Sequence, residues 1–158
     1  MSDFNTQLED GLKKIDIWGG RVHDALGQSL IIGALMIERD AKQNTNSNSD
    51  SGTLMRSISP TALKLEGESL SISVGPTVKY APNLEYGSSP HTTSTNSEEF
   101  VESITLWGKR KGLDDYEIFQ LIKHIRKYGT KPHPFLGPAY YSNIEKIKLM
   151  IKTALGKA

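Results

Sequence analysis

The chain has 158 residues, enough for one domain around a single hydrophobic core; 37% are apolar and 23% charged, which fits a soluble protein with a lean core. Nineteen basic against 18 acidic side chains leave a formal charge of +1, so the chain as a whole makes no electrostatic case for nucleic acid. The absence of cysteine excludes disulfides and thiol chemistry.

No apolar run reaches the roughly 20 residues of a membrane span; the best candidate, "LIIGALMI" at 30–37, is far too short. The polar, acidic start "MSDFNTQLED" is not that of a signal peptide, and synthesis in the cytoplasm is expected.

From Asp3 onward, Leu8, Leu12, Ile15, Trp18, Val22, Leu26, Leu30, Gly33 and Ile37 recur at helical steps of three and four, with Ser2 or Asp3 able to cap the start. Gly19 and Gly20 fall inside this pattern. At about 1 kcal/mol each relative to alanine, they predict a kink or a break into two helices. The polar run "QNTNSNSD", 43–50, ends the helix.

Next comes "DSGTLMRSI", 50–58, which has the glycine and hydroxyls of a phosphate loop but lacks its lysine and second glycine. A short helix is the better reading. Asp50 or Ser51 caps it, Gly52 permits close backbone approach, Leu54 and Ile58 at i, i+4 anchor it, and Arg56 points elsewhere. Pro60 ends it. "ALKLEGESLSISVG" then reads as a hairpin: Leu63 and Leu65 alternate with polar neighbours, Gly67 marks the turn, and Leu70, Ile72 and Val74 alternate on the return.

"YAPNLEYG", 80–87, has a proline near its start and a glycine at its end, the asymmetry of a short helix, with Tyr80 and Leu84 on one face. A polar loop, 88–97, leads to two helices joined through Gly112. Phe100, Val101, Ile104 and Trp107 form the apolar side of the first; Ile118, Leu121, Ile122 and Ile125 form that of the second. "KPHPFLGP" is extended by its prolines, and Pro138 opens a last helix with Ile144, Ile147, Ile151 and Leu155 inward. The fold class is α+β: a long N-terminal helix, a small antiparallel β-hairpin sheet, a helical pair inserted at about 98–128, and a C-terminal helix packed on the sheet, in one domain over 1–158.

Candidate chemistry is thin. Metal binding needs converging ligands, and His23, His91, His124 and His133 have no partners at helical or loop spacing. Glu98 with Glu99, and Asp114 with Asp115, stand at helix starts, where carboxylates cap free N–H groups and complement the macrodipole; that reading outweighs an acid–base pair. No serine lies in a G-x-S-x-G turn. The expectation is a protein with no catalytic, cofactor or metal site.

The helical pair carries Lys109, Arg110, Lys111, Lys123, Arg126 and Lys127 and superficially suggests a DNA-binding helix-turn-helix. Glu98, Glu99, Glu102, Asp114, Asp115 and Glu117 match those bases, and "DDYE" opens the second helix where a recognition helix would meet phosphates. A solvated helical hairpin is the better reading, with a small DNA-binding protein as the alternative from another class.

The order of the motifs says more than any one of them. A long N-terminal helix, "DSGTLMRSI", a hairpin ending in "VGPTVKYAPNLEYG", and "YGTKPHPFLGPAYYSNIEKI" leading into a last helix resemble the tail-completion or neck proteins of long-tailed bacteriophages and prophages, often labelled minor tail components. That family carries a T-G-x-L-x-x-S-I-like stretch, matched by Gly52, Leu54, Ser57 and Ile58. Its Y-A-x-x-x-E-x-G stretch is matched by Tyr80, Ala81, Glu85 and Gly87. Its P-x-P-F-L-x-P-A stretch is matched by Pro132, Pro134, Phe135, Leu136, Pro138 and Ala139. Ser51 stands where the family has threonine and keeps a hydroxyl, and the helical pair occurs in only part of the family.

The resemblance implies a virion structural protein at the head–tail junction, made in the host cytoplasm. It acts as one subunit of a homo-oligomeric ring, a hexamer by family analogy, around a channel through which genomic DNA passes without sequence-specific binding. Its partners are neighbouring neck, connector and tail-tube proteins; no membrane or small-molecule substrate is involved. A tail terminator capping the tail tube is the runner-up. Gly52, Leu54, Arg56, Ser57, Tyr80, Glu85, Gly87, Pro134, Phe135 and Pro138 are the candidate motif or subunit-interface residues. Trp107, Tyr80, Tyr86, Phe135, Tyr140 and Tyr141 would serve as exposed aromatics on such a surface.

Overall fold

A computed structural model describes residues 2–45, 52–67, 69–90 and 98–156, with side chains described from Gly19 onward. The first helix, α1 (Ser2–Thr45), is continuous over 44 residues, about 66 Å at 1.5 Å per residue. The break expected at Gly19 and Gly20 is not there. Both are helical, and beyond their chain neighbours and the helix's own backbone nothing lies within 4 Å of where their Cβ atoms would stand. Two glycines weaken a helix of this length without interrupting it, because each bond propagates from its neighbours. The expected caps Ser2 and Asp3, and the stripe from Leu8 to Trp18, lie outside the described side chains. Val22, Leu26 and Leu30 are half-buried, and Gly33, Ala34, Ile37 and Ala41 are buried. Thr45 ends α1 inside the polar run, and the rest of that run lies outside the described residues.

The short helix expected from "DSGTLMRSI" forms as α2 (Thr53–Ser57). Asp50 and Ser51 lie outside the described residues; the N-cap is Gly52, with φ 69 and no side-chain capping bond. A left-handed backbone, rather than close approach of another chain segment, is therefore what asks for glycine here. The strand β1 (Ile58–Pro60) follows at once, then β2 (Lys64–Glu66), β3 (Ser69–Ser71) and β4 (Val74–Pro76).

β1 pairs antiparallel with β4, placing Ile58 opposite Pro76 and Pro60 opposite Val74; β2 pairs with β3, placing Lys64 opposite Ser71. The two ladders are one hairpin, since Thr61 N donates to Ser73 O at 2.8 Å between them. From Pro60 to Lys64 the chain takes four steps, while its partner takes three from Val74 back to Ser71. The extra residue is a β-bulge. It shifts the apolar residues of the first strand from even positions (Ile58, Pro60) to odd ones (Leu63, Leu65), keeping both sets on the face of Leu70, Ile72 and Val74.

Pro60 thus lies within a strand instead of merely ending α2. Thr61–Ser73 and the Thr77 N to Ser57 O bond at 3.2 Å are the inward-facing pairs. Pro60 and Pro76 occupy the alternate, outward-facing positions, where a missing N–H costs no ladder bond.

After α3 (Ala81–Tyr86), the helical pair α4 (Glu98–Arg110) and α5 (Asp115–Tyr128) precedes the last helix, α6 (Leu136–Leu155). α6 runs antiparallel along the C-terminal half of α1. Ile147 sits over Gly33, where a Cβ would stand 2.8 Å from Ile147 Cγ1, and Asn44 Nδ2 donates to Phe135 O at 2.9 Å. The core between α1, α2, the hairpin base, α3 and α6 comprises Ile37, Ala41, Leu54, Ile58, Ala81, Phe135, Ala139 and Ile147. Ile147 is buried and Ile151 packs on the core as expected, joined by Met150, whereas Leu155, also expected inward, is 41% exposed.

α4 and α5 close on each other around Gly108, Ile118, Ile122 and Ile125. Asp114 and Glu117 form a capping box at the start of α5, with bonds of 2.7 and 2.9 Å, as their position at a helix start predicts. Ser88 and Thr130 exchange main-chain bonds of 3.1 Å in each direction, so the chain leaves the body and returns to it at one point. The fold is α+β.

Candidate interaction surface

The three motif stretches meet at one corner of the body. Glu85, in the last turn of α3 and 8% exposed, turns its carboxylate onto the start of α6. It accepts from the main-chain N–H of Phe135 at 2.8 Å, Leu136 at 2.9 Å and Gly137 at 2.8 Å. A helix begins with four N–H groups that have no partner of its own, and the side chain of the N-cap residue here, Phe135, has no oxygen with which to accept them. Glu85 does that work from 50 residues away, and its charge complements the positive end of the helix dipole.

With that cap in place, α6 starts at Leu136, two residues before Pro138, which had been expected to open it. Pro138 sits in the first turn, where its missing N–H forfeits no intrahelical bond.

Around the cap, Gly87 has φ 75, and a Cβ there would stand 2.5 Å from Thr130 O, so this glycine is needed for close approach as well as for its backbone angle. Phe135, expected among the exposed aromatics, is 2% exposed and belongs to the core. Leu54, 7% exposed, reaches the same core, and Ser57 Oγ donates to Leu54 O at 2.7 Å. Leu54, Glu85, Gly87 and Phe135 thus join motif to motif, Ser57 braces α2 from within, and Gly52 sets the entry to it. Arg56, Pro134 and Pro138 are exposed. Tyr80 is 49% exposed at the N-cap of α3, where partial burial pushes its hydroxyl above the ordinary value.

Beside this corner lies an open groove of about 310 Å³ with an apolar floor of Ile37, Ile72, Val74 and Leu136. Tyr86, Tyr140 and Tyr141 rim it, 79%, 45% and 76% exposed, and the last two rings meet edge to face at 5.4 Å. Apolar floors rimmed by tyrosine are characteristic of protein–protein contacts. The three tyrosines stand out in the sequence. The groove does not, because its floor comes from α1, the hairpin and α6 and exists only once these are packed.

One polar contact locks α6 to α1. Asn143, fully buried, donates from Nδ2 to Asp40 Oδ2 at 2.6 Å and to Ala139 O at 2.8 Å. That bond, then one from Arg39 Nε at 2.8 Å, holds the Asp40 carboxyl below its ordinary value of 3.8. A depressed folded-state value stabilises the fold fully above the unfolded value and loses that contribution as pH falls through the folded one. The urea midpoint of the native chain should therefore drop more steeply than that of Asp40→Asn between about pH 5 and about pH 3. Parallel curves for the two proteins would mean that the Asn143–Asp40 lock carries no stability.

The helical pair presents carboxylates at the start of its second helix. Asp114, Asp115 and Glu117 at the start of α5 are exposed; two of them serve the capping box, and Lys109 Nζ of α4 lies 3.7 Å from Asp115. Among the described residues, no group of three or more histidines or carboxylates could hold a metal ion, and no helix is long and apolar enough to cross a membrane.

A family model described as "Bacteriophage HK97-gp10, putative tail-component" matches residues 3–87, just over half of the chain. No curated protein and no solved structure matches. The matched segment runs from α1 to Gly87, through two of the three motifs and up to the carboxylate that caps α6. The chain belongs to the HK97-gp10-like family of bacteriophage tail components.

Proposed function

We propose that this tail component is a tail-completion protein of the head–tail junction, working as one subunit of a homo-oligomeric ring around the DNA channel. The observation that carries the reading is the Glu85 cap. It ties the matched segment, 3–87, to the P-x-P-F-L-x-P-A stretch and to α6. α1, the hairpin, α3 and α6 then act as one unit, with the helical pair as an insertion in a single domain.

The work of such a unit is adhesion to its copies and to neighbouring neck, connector and tail-tube proteins; it requires no catalytic group and no cofactor. The exposed tyrosines and the groove they rim supply surface of the right composition. DNA passes such a ring without sequence-specific contact, in keeping with a chain of charge +1 whose α5 begins with exposed carboxylates.

Assembly extracts test the reading. In an extract whose phage lacks this gene, heads and tails should accumulate unjoined, and added purified protein should restore joining. Normal joining without the protein would remove it from the junction. Tails of uncontrolled length would instead assign it to the tail terminator, since capping is what stops a polymerising tube.

A further inference from the structure

We infer that the hairpin builds the ring: the β2 edge at its tip adds to the Ile72–Val74 side of the next copy's hairpin, and Leu65 enters the tyrosine-rimmed groove there. The inference rests on the proposed ring and names the surface that forms it.

A two-stranded hairpin has two open edges, and the prolines show where strands can add. Pro60 and Pro76 stand at outward-facing positions of the base and offer no N–H, which closes the base of each edge to strand addition. Beyond them the edges are open. The inward bonds on either side of Val74 turn its own N–H and C=O outward, and among the described residues neither they nor the main-chain groups of Ile72 meet a partner.

Support at the tip is one-sided, with β3 against α1 and Leu70 half-buried. Leu63 is the last residue of the outgoing strand to rest on the body, against α1 at Gly27, where a Cβ would stand 3.1 Å from Leu63 Cδ2. Every residue of β2 is exposed, and Leu65 is 60% exposed. A two-stranded ribbon with one strand left uncovered is marginal in water, and a third strand is the ordinary remedy.

The groove supplies the other half. Ile72 and Val74 share the face of Leu70 and line the groove, and a strand added beside them extends that face, so its apolar side chain is turned to the groove. Tip and groove are different surfaces of the same chain. Their contact is head-to-tail and propagates from copy to copy until a rotation closes it, which produces a ring and not a twofold dimer.

The absence of cysteine makes a clean test possible. Leu65→Cys and Tyr141→Cys each replace an exposed residue, so folding should be preserved. After oxidation, a mixture of the two proteins should give disulfide-linked dimers and neither protein alone should. A chain carrying both substitutions should give a ladder ending in a closed ring. Leu65→Asp should raise the concentration needed for assembly about tenfold or more, with circular dichroism and urea midpoint unchanged.

Oligomers of native mass without the mixed link would overturn the tip-in-groove contact and leave the ring standing. Links within Leu65→Cys alone would replace it with a tip-to-tip pair. In assembly extracts, a Tyr141→Cys link to another tail protein would give the groove to that protein. A strict monomer in solution and on tails would remove ring and contact together.

Discussion

Glu85→Ala should lower the stability of the chain by about 3 kcal/mol in urea unfolding, as expected when a buried carboxylate that accepts several bonds is lost. Three N–H groups at the start of α6 would lose their acceptor together, and the side chain of Phe135, the N-cap, has nothing to offer them. Phe135 N is buried, while Leu136 and Gly137 border the open groove, so water can replace the lost carboxylate only in part. Glu85→Gln keeps one acceptor oxygen in the same place and should lose about half as much. The cap joins two motifs distant in sequence, so loss of helicity in α6 should accompany the lower midpoint. An alanine variant within about 0.5 kcal/mol of the native chain would show that α6 does not depend on its distant cap.

Phe135→Ala should cost about 3–5 kcal/mol, the range for removing a buried aromatic side chain. Phe135 is 2% exposed and, among the described residues, the largest fully buried side chain, in one core cluster with residues from α1, α2, α3 and α6. Its carbonyl also accepts from Asn44, so collapse around the cavity would disturb the end of α1. Tyr141→Ala is the control: at 76% exposure it should stay within about 0.5 kcal/mol of the native chain. Equal losses for the two would contradict the division between a motif that builds the corner and tyrosines that face outward.

What the sequence reveals of this fold is what depends on neighbours in the chain. The three- and four-residue steps of α1, the hairpin alternation of Leu63, Leu65, Leu70 and Ile72, and the acidic start of α5 each rest on contacts a few residues apart. Legibility fails where distant residues decide. β1 hides behind the bulge, which moves the apolar positions from even to odd between Pro60 and Leu63. The start of α6 is set by Glu85 and not by the nearby Pro138.

The candidate surface divides in the same way. The motif order points to the phage tail family, and residues 3–87 bear that out. The inward roles of Glu85 and Phe135, and the groove beside them, arise only from packing. As a phage tail component, the chain is a structural protein of the virion whose neighbours are other tail and neck proteins.

The central claim is assembly into a ring through protein surface alone, and native mass measurement of the purified protein, with negative-stain imaging of the same sample, tests it most directly. The account predicts a closed ring at six times the chain mass of 17.5 kDa. A 17.5 kDa monomer at every concentration, which also fails to enter rings when tails are supplied, would contradict it.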